Sequence, residues 1–348
     1  METRLTVILI LFYIFCCVVE TTRTHRHSVL ALACFVLTLI VGFRSLEWSD
    51  TGVYAYAFQH YTNTLFRYSM QDDPYGYAEG GFYFLSSFIR TFTADYTIYF
   101  LLISAITFFF IYKSLRVYCV YPLIGLCVYI SRFLLDRNMM QIRAALAIAV
   151  IVYALQYVAE RNFKKYFIYI VIGSLLHHSI LLALPFYWFN KIPFSRKTIC
   201  LAIAGSYVLA TLFSPIIFDK VAAFSAIYNI APSYTSDTSP YTSGKGLANP
   251  MIYYQVVVLL AYTYMERKLV NMTPYYQTIR NGYLYSTIIL ILMSSFASLS
   301  GRTSTIFATL EIFMIPTFFA AFKPKGKLVA FFGIGVVVAG FFYLNIIQ

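Results

Sequence analysis

The chain has 348 residues, of which 60% are hydrophobic and only 11% charged, against the ~25% charged residues of ordinary soluble domains. A water-soluble fold does not fit that balance. The net charge of +12 would suggest nucleic acid in a soluble protein. Here, however, lysine and arginine fall mainly in short loops between apolar runs, where they set orientation rather than form a binding patch.

Apolar runs of roughly 17 to 22 residues recur along the chain, the length needed to cross ~30 Å of hydrocarbon. They predict an all-α, polytopic transmembrane protein forming a single domain, 1–348. Its ten full spans lie near 5–19, 27–43, 96–112, 117–131, 139–159, 198–216, 251–266, 282–299, 303–322 and 328–346. The first run lacks a small-x-small cleavage site and is followed at once by another span, so it reads as a retained helix. The six cysteines sit in or beside apolar segments without paired spacing in loops, which points to neither disulfides nor a metal site.

Nine of the eleven lysines fall in loops 21–27, 113–116, 160–165, 190–197, 266–280 and 323–327. The positive-inside rule makes these loops cytoplasmic. Two shorter runs then need another geometry. Run 165–191 has lysine at both ends and the polar break His177-His178-Ser179 at its centre. A re-entrant hairpin satisfies both ends, because each arm of ~12 residues reaches only ~18 Å. Run 80–93 is read as a second insertion, from the outer side. The outer loops are then 44–95 and 217–250, and outside the second of them this face carries arginine without lysine. Arginine's planar fork grips carboxylate or phosphate bidentately, so an anionic headgroup at the outer leaflet is the expected partner.

In chain order, the first outer loop brings Arg44, Asp50 and Tyr54 to the mouth of the second span. Arg44 either snorkels or binds anion, and Asp50 either caps a short helix or accepts a proton from a sugar hydroxyl. Glu79 precedes Gly80-Gly81, as a helix cap or as a site carboxylate beside backbone that a ligand can approach closely. Arg137 and Gln141 are expected one turn apart at the opening of a span. Arg143 lies deeper, where an intramembrane charge must face a polar cavity or pair with Asp136. His177 and His178 are the histidines at membrane depth. Adjacent imidazoles point to different faces, so they do not suggest a metal site. One is expected to bridge backbone carbonyls freed by the break, and the other to touch substrate. Arg302, among Ser300, Gly301, Thr303 and Ser304, is expected to head a span as an anion site. Glu311 reads as an unpaired intramembrane carboxylate. Tyr54, Tyr56, Tyr61, Tyr68, Tyr75 and Tyr77 in one loop, and Tyr228, Tyr234 and Tyr241 in the other, suit sugar faces. Loop 217–250 reads as an outer lid.

Taken in order, Gly42-x-Arg44 with Asp50 and Tyr54, then Glu79-Gly80-Gly81-Phe82, then Arg137 to Ala147, then His177-His178-Ser179 followed by Leu184-Pro185, resemble the EpsG-like family of Wzy-type polysaccharide polymerases. The resemblance runs over about residues 1 to 320. Two departures stand out: Ser49 occupies the position of the family's usual glycine before the aspartate, and the histidine is doubled, so either His177 or His178 corresponds. The resemblance implies a GT-C-like glycosyltransferase in the bacterial inner membrane, its active site facing the periplasm. Such enzymes polymerise oligosaccharide repeat units carried on undecaprenyl diphosphate, without metal, nucleotide sugar or other cofactor. Donor and acceptor are both lipid-linked glycans, and a membrane chain-length regulator is the expected protein partner. On this reading Arg137, Arg143 and Arg302, with Arg44 as a fourth, hold the diphosphate. Asp50, or else Glu79 or His178, takes the acceptor proton, and His177, Gln141 and Tyr54 are possible substrate contacts. The competing readings are an O-antigen ligase, a lipid-linked oligosaccharide flippase and an outer-face acyltransferase.

Overall fold

A computed structural model describes residues 2–23, 25–48, 50–69, 79–227, 246–273, 275–295, 297–322 and 324–347. Ser49, Asp72, Asp73, Tyr75, Tyr77, Tyr228, Tyr234 and Tyr241 lie outside the described residues, as do residues 228–245 of the expected lid. Every regular element among the described residues is helical. The α-helices are α1 (Glu2–Thr22), α2 (Arg26–Gly42), α3 (Thr51–His60), α4 (Gly80–Arg90), α5 (Tyr96–Tyr118), α6 (Pro122–Tyr129), α7 (Ile142–Ala159) and α8 (Phe163–Leu176). They continue as α9 (Phe186–Phe189), α10 (Arg196–Ile227), α11 (Pro250–Tyr264), α12 (Glu266–Leu269), α13 (Tyr276–Leu292), α14 (Ala297–Ala308), α15 (Glu311–Ala321) and α16 (Pro324–Ile347). The chain groups into two compact units, 1–184 with 272–274 and 311–348, and 185–271 with 275–310.

Four helices are long and apolar enough to cross a bilayer: Arg4–Thr22, Tyr96–Tyr118, Ile142–Ala159 and Gly326–Ile347. A fifth is added if Ser300–Ala308 and Glu311–Ala321 form one broken span. Their outer surfaces show what surrounds them. Leu11 is 61% exposed and Val336 71%, and ranks of large bare aliphatic side chains on such helices are stable against lipid rather than water. Two helices over other expected spans are shorter than these four, α2 with 17 residues and α11 with 15. The expected span 117–131 is interrupted outright: α5 runs on through Tyr118, and α6 starts afresh at Pro122, whose ring is tolerated at the first helical position. Glu20 of α1, fully buried, accepts the Leu123 N–H at 2.6 Å and so caps α6 from another helix.

The first unit departs most from sequence expectation after α6. Residues Ile130–Met140 wind as a π-helix, which ends at Gln141, where the Gln141 N–H bonds the Asp136 carbonyl five residues back. The π-helix is a rare, wide form that recurs at functional sites. Arg137 and Gln141 are therefore not one α-turn apart, and Arg143 stands in the first turn of α7 rather than well inside a helix. Glu311 is also not alone. Arg132, on the π-helix, lies 3.4 Å from its Oε2, and the Glu311 side chain is wholly buried. A carboxylate at such depth requires a countercharge, and the π-helix supplies it.

At His177 the chain reverses, as its polar break suggested. Gly173 of α8 lies against Ile180, and the Tyr166 hydroxyl donates to the Ala183 carbonyl at 2.7 Å. The returning arm, His178–Ala183, is a 3-10 helix.

Within the second unit, Asn190, Thr278 and Asn281 hydrogen-bond one another at 3.0–3.1 Å. Arg280 pairs with Glu266 at 3.1 Å and donates to the Phe194 carbonyl at 3.0 Å. This network ties α13 to the α9–α10 connection and to α12.

Candidate functional site

The polar cluster that stands out is assembled from four separate places in the first unit. Tyr54 comes from α3, Glu79 from the residue before α4, Arg143 from the first turn of α7, and His177 from the break after α8. The Arg143 Nη1 donates to Glu79 Oε2, and its Nε donates to the Tyr54 hydroxyl at 3.1 Å. The other Glu79 oxygen, Oε1, is 2.8 Å from His177 Nδ1. Glu79 is nearly inaccessible, with 4% of its side chain exposed, whereas Arg143 and His177 each keep 22% open. The carboxylate is the buried hinge of the cluster, and the cation and the imidazole form its reachable edge.

Glu79 and Asp50 both occupy helix N-cap positions, yet neither side chain makes a capping bond. The capping readings of both residues are thereby corrected. For Glu79 the reason is energetic: two charge-assisted partners outweigh the modest gain from α4's end. Burial by itself would push the Glu79 carboxyl up, but the His177 hydrogen bond, the Arg143 charge and the two neighbouring imidazoles hold it below the usual carboxylate range. Paired with the Arg143 guanidinium, Glu79 is the anionic anchor of the cluster.

The second of the paired glycines, Gly81, acts on packing. A Cβ at Gly81 would come within 2.5 Å of Leu175 Cβ and 2.7 Å of the Leu175 carbonyl oxygen. The absent side chain lets α4 lie directly on α8, and this contact places Glu79 beside His177. Gly81→Ala is accordingly expected to push the two helices apart and lower the amount of protein that accumulates in the membrane severalfold. A membrane immunoblot reads the loss, and wild-type abundance would remove this role.

Arg44 is 7% exposed and tied inward. Its Nε donates to Thr51 Oγ1 at 3.1 Å, its Nη1 to the Val41 and Asn138 carbonyls, and its guanidinium lies 3.8 Å over the Phe100 ring. The Thr51 hydroxyl donates to the Met139 carbonyl at 2.9 Å, and the Tyr129 hydroxyl to Asn138 Oδ1 at 2.6 Å. Arg44 and Thr51 therefore bind the start of α3 to the end of the π-helix, bringing Tyr54 and Asp50 into one fixed frame with Arg137. Arg137 itself is buried, with its guanidinium 4.2 Å over Phe133. Gln141 sits at the π-to-α junction.

Arg302 belongs to the second unit, inside α14. Ser300 to Ser304 do not head the helix, which begins at Ala297, so the amides from Gly301 onward are internal rather than free for an anion. The Thr303, Ser304 and Thr305 hydroxyls turn back on the carbonyls three residues earlier. His178, first in the 3-10 arm, is exposed. No group of three or more His, Cys, Asp or Glu able to hold a metal occurs among the described residues.

Sequence reasoning did not single out Arg132 as Glu311's partner, nor Tyr54 as Arg143's. The requirement that a deep carboxylate have a countercharge was a usable signal for the first. Tyr54 stands out in sequence beside Arg44 and Asp50, but nothing there pairs it with Arg143, 89 residues away.

Apolar helices around a cation–carboxylate–imidazole cluster are those of a multi-helix membrane protein with a polar centre. The chain belongs to the EpsG family, whose model matches residues 27–348, and membership points to a glycosyltransferase-like role in polysaccharide polymerisation. No curated protein and no solved structure matches the chain.

Proposed function

We propose that this protein is a GT-C-like membrane glycosyltransferase that polymerises oligosaccharide repeat units carried on undecaprenyl diphosphate. It works at the periplasmic leaflet of a bacterial inner membrane. The observation that carries the reading is Arg143, in the first turn of α7, held by Glu79 and Tyr54 with its Nη2 amino group making no hydrogen bond to the described residues. A guanidinium fixed in this way can stabilise the negative charge that grows on a diphosphate leaving group. Arg137, in the same unit, is the second proposed diphosphate ligand. Arg44 instead supports the π-helix that carries Arg137. Asp50, Glu79 and His178 remain the candidates for activating the acceptor hydroxyl, and His177, Gln141 and Tyr54 for touching substrate. The complete proposal has ten spans, hairpins at 80–93 and 165–191, and a membrane partner that sets chain length.

Deleting the gene and resolving lipopolysaccharide on a gel tests the reading. A single repeat on core with the ladder gone, restored by the wild-type gene, is the expected result. Core lacking any repeat would indicate a ligase or a flippase instead, and an unchanged ladder would remove the polymerase reading.

A further inference from the structure

Two adjacent histidines stand at the hairpin turn, and the structure treats them differently. His177 is extended, at φ −160° and ψ 118°, and its backbone is pinned on both sides: its N–H bonds the Gly173 carbonyl at 2.8 Å and its carbonyl accepts the Ile180 N–H at 3.1 Å. Its ring is pinned as well, through Nδ1 and Glu79 Oε1 at 2.8 Å. Glu79 is fixed in turn by Arg143, and Arg143 by Tyr54. An ionised carboxylate only accepts hydrogen bonds, so the hydrogen of this contact belongs to Nδ1. The neutral ring then carries its lone pair on Nε2, the nitrogen that makes no hydrogen bond among the described residues. With 22% of its side chain exposed, the imidazole is reachable by a ligand. The His178 side chain makes no hydrogen bond among the described residues, so nothing of that kind fixes its tautomer or direction.

Resting on the polymerase reading, we infer that His177 takes the proton of the acceptor sugar hydroxyl at Nε2, with Glu79 as its positioning residue. In this step the acceptor oxygen forms a bond to the anomeric carbon of the donor glycan. The bond from that carbon to the phosphate oxygen breaks, and its electron pair leaves on undecaprenyl diphosphate. The hydroxyl proton passes to Nε2 and from there to water. Glu79 holds the ring in the receptive tautomer and stabilises the imidazolium that forms, as a carboxylate does behind a catalytic imidazole elsewhere. The charged and titratable groups around the imidazole are Glu79, Arg143 behind it, Tyr54 and His178.

The test uses purified full-length protein in lipid nanodiscs with lipid-linked repeat units. Elongation by wild type is a test of the polymerase reading alone, and its absence removes that reading whatever the histidine does. Given wild-type elongation, His177→Asn keeps an N–H near the Nδ1 position for Glu79 but has no Nε2. It is expected to lose ~10²–10⁴ in turnover, with undecaprenyl diphosphate binding retained. His177→Ala is expected to regain part of the rate with added imidazole, and more so as pH rises and the free base predominates. His177→Asn within threefold of wild type overturns the inference. Where His177→Asn fails to accumulate, His177→Ala decides in its place, and folded protein that imidazole does not rescue likewise overturns it.

Discussion

Arg143→Lys is expected to abolish the polysaccharide ladder nearly as completely as Arg143→Ala, while the two proteins differ in how much reaches the membrane. The guanidinium does two jobs through separate nitrogens, Nε to Tyr54 at 3.1 Å and Nη1 to Glu79, and keeps Nη2 for the proposed diphosphate. A lysine offers one nitrogen on a flexible stem, so it can satisfy Glu79 but cannot also hold Tyr54 and present a planar edge. Loss of the ladder in the lysine protein is therefore chemical, and its abundance stays near normal. Alanine leaves the Glu79 charge, 3% exposed, with His177 alone. Stripping one partner from a buried pair costs about 3–5 kcal/mol, and the partial exposure of Arg143 places this case toward the lower end. Membrane immunoblots alongside lipopolysaccharide gels separate the two effects. A full ladder from Arg143→Lys would remove the bidentate role.

Why the site was legible as a set of residues but not as an arrangement follows from its geometry. Glu79, Arg143 and His177 are conspicuous in a chain this apolar, Arg143 and His177 as polar groups expected at membrane depth and Glu79 as the carboxylate that opens a short insertion. Their pairing is another matter. Glu79 is 64 residues from Arg143 and 98 from His177, and no periodicity encodes the register of one short insertion against another. The decisive determinant is Gly81, which fixes that register by what it lacks, and in sequence it reads equally well as room for a ligand. The doubled histidine illustrates the same limit. Which ring meets the carboxylate depends on the φ and ψ of His177, a property of the break rather than of composition.

The helical fold was legible at the level of hydropathy, and so was the reversal at His177, because the polar break interrupts a run with lysine at both ends. The π-helix was not. Residues 130–140 carry Arg132, Asp136, Arg137 and Asn138 among apolar neighbours, and that mixture reads as a loop between two spans. What converts it into a continuous wide helix is tertiary: Arg44 and Thr51 take the Asn138 and Met139 carbonyls at 3.1 and 2.9 Å, groups that a regular α-helix would spend on later N–H donors. A lone arginine before a loop gives no hint that its partners are those carbonyls.

The largest kinetic loss is expected from Glu79→Gln, and its comparison with Asp50→Asn decides how the acceptor is activated. Both swaps keep volume and remove charge. At position 79 the amide is caught between two demanding neighbours. The Arg143 guanidinium has only donors, so it takes the amide oxygen, and the amide nitrogen must then face His177 Nδ1. Facing a donor, Nδ1 has to accept, which moves the ring hydrogen to Nε2 and removes the lone pair that would meet the sugar hydroxyl. A correctly placed but wrongly protonated imidazole is expected to cost ~10²–10⁴ in turnover while leaving undecaprenyl diphosphate binding within a few-fold of wild type. Asp50 makes no capping bond, and Asn there preserves size without disturbing the Arg143–Glu79–His177 chain. Its loss is expected to be at least tenfold smaller. Turnover of purified protein on lipid-linked repeat units measures both. The opposite order, Asp50→Asn dead and Glu79→Gln active, would make Asp50 the base and reduce Glu79 to a structural anchor for Arg143.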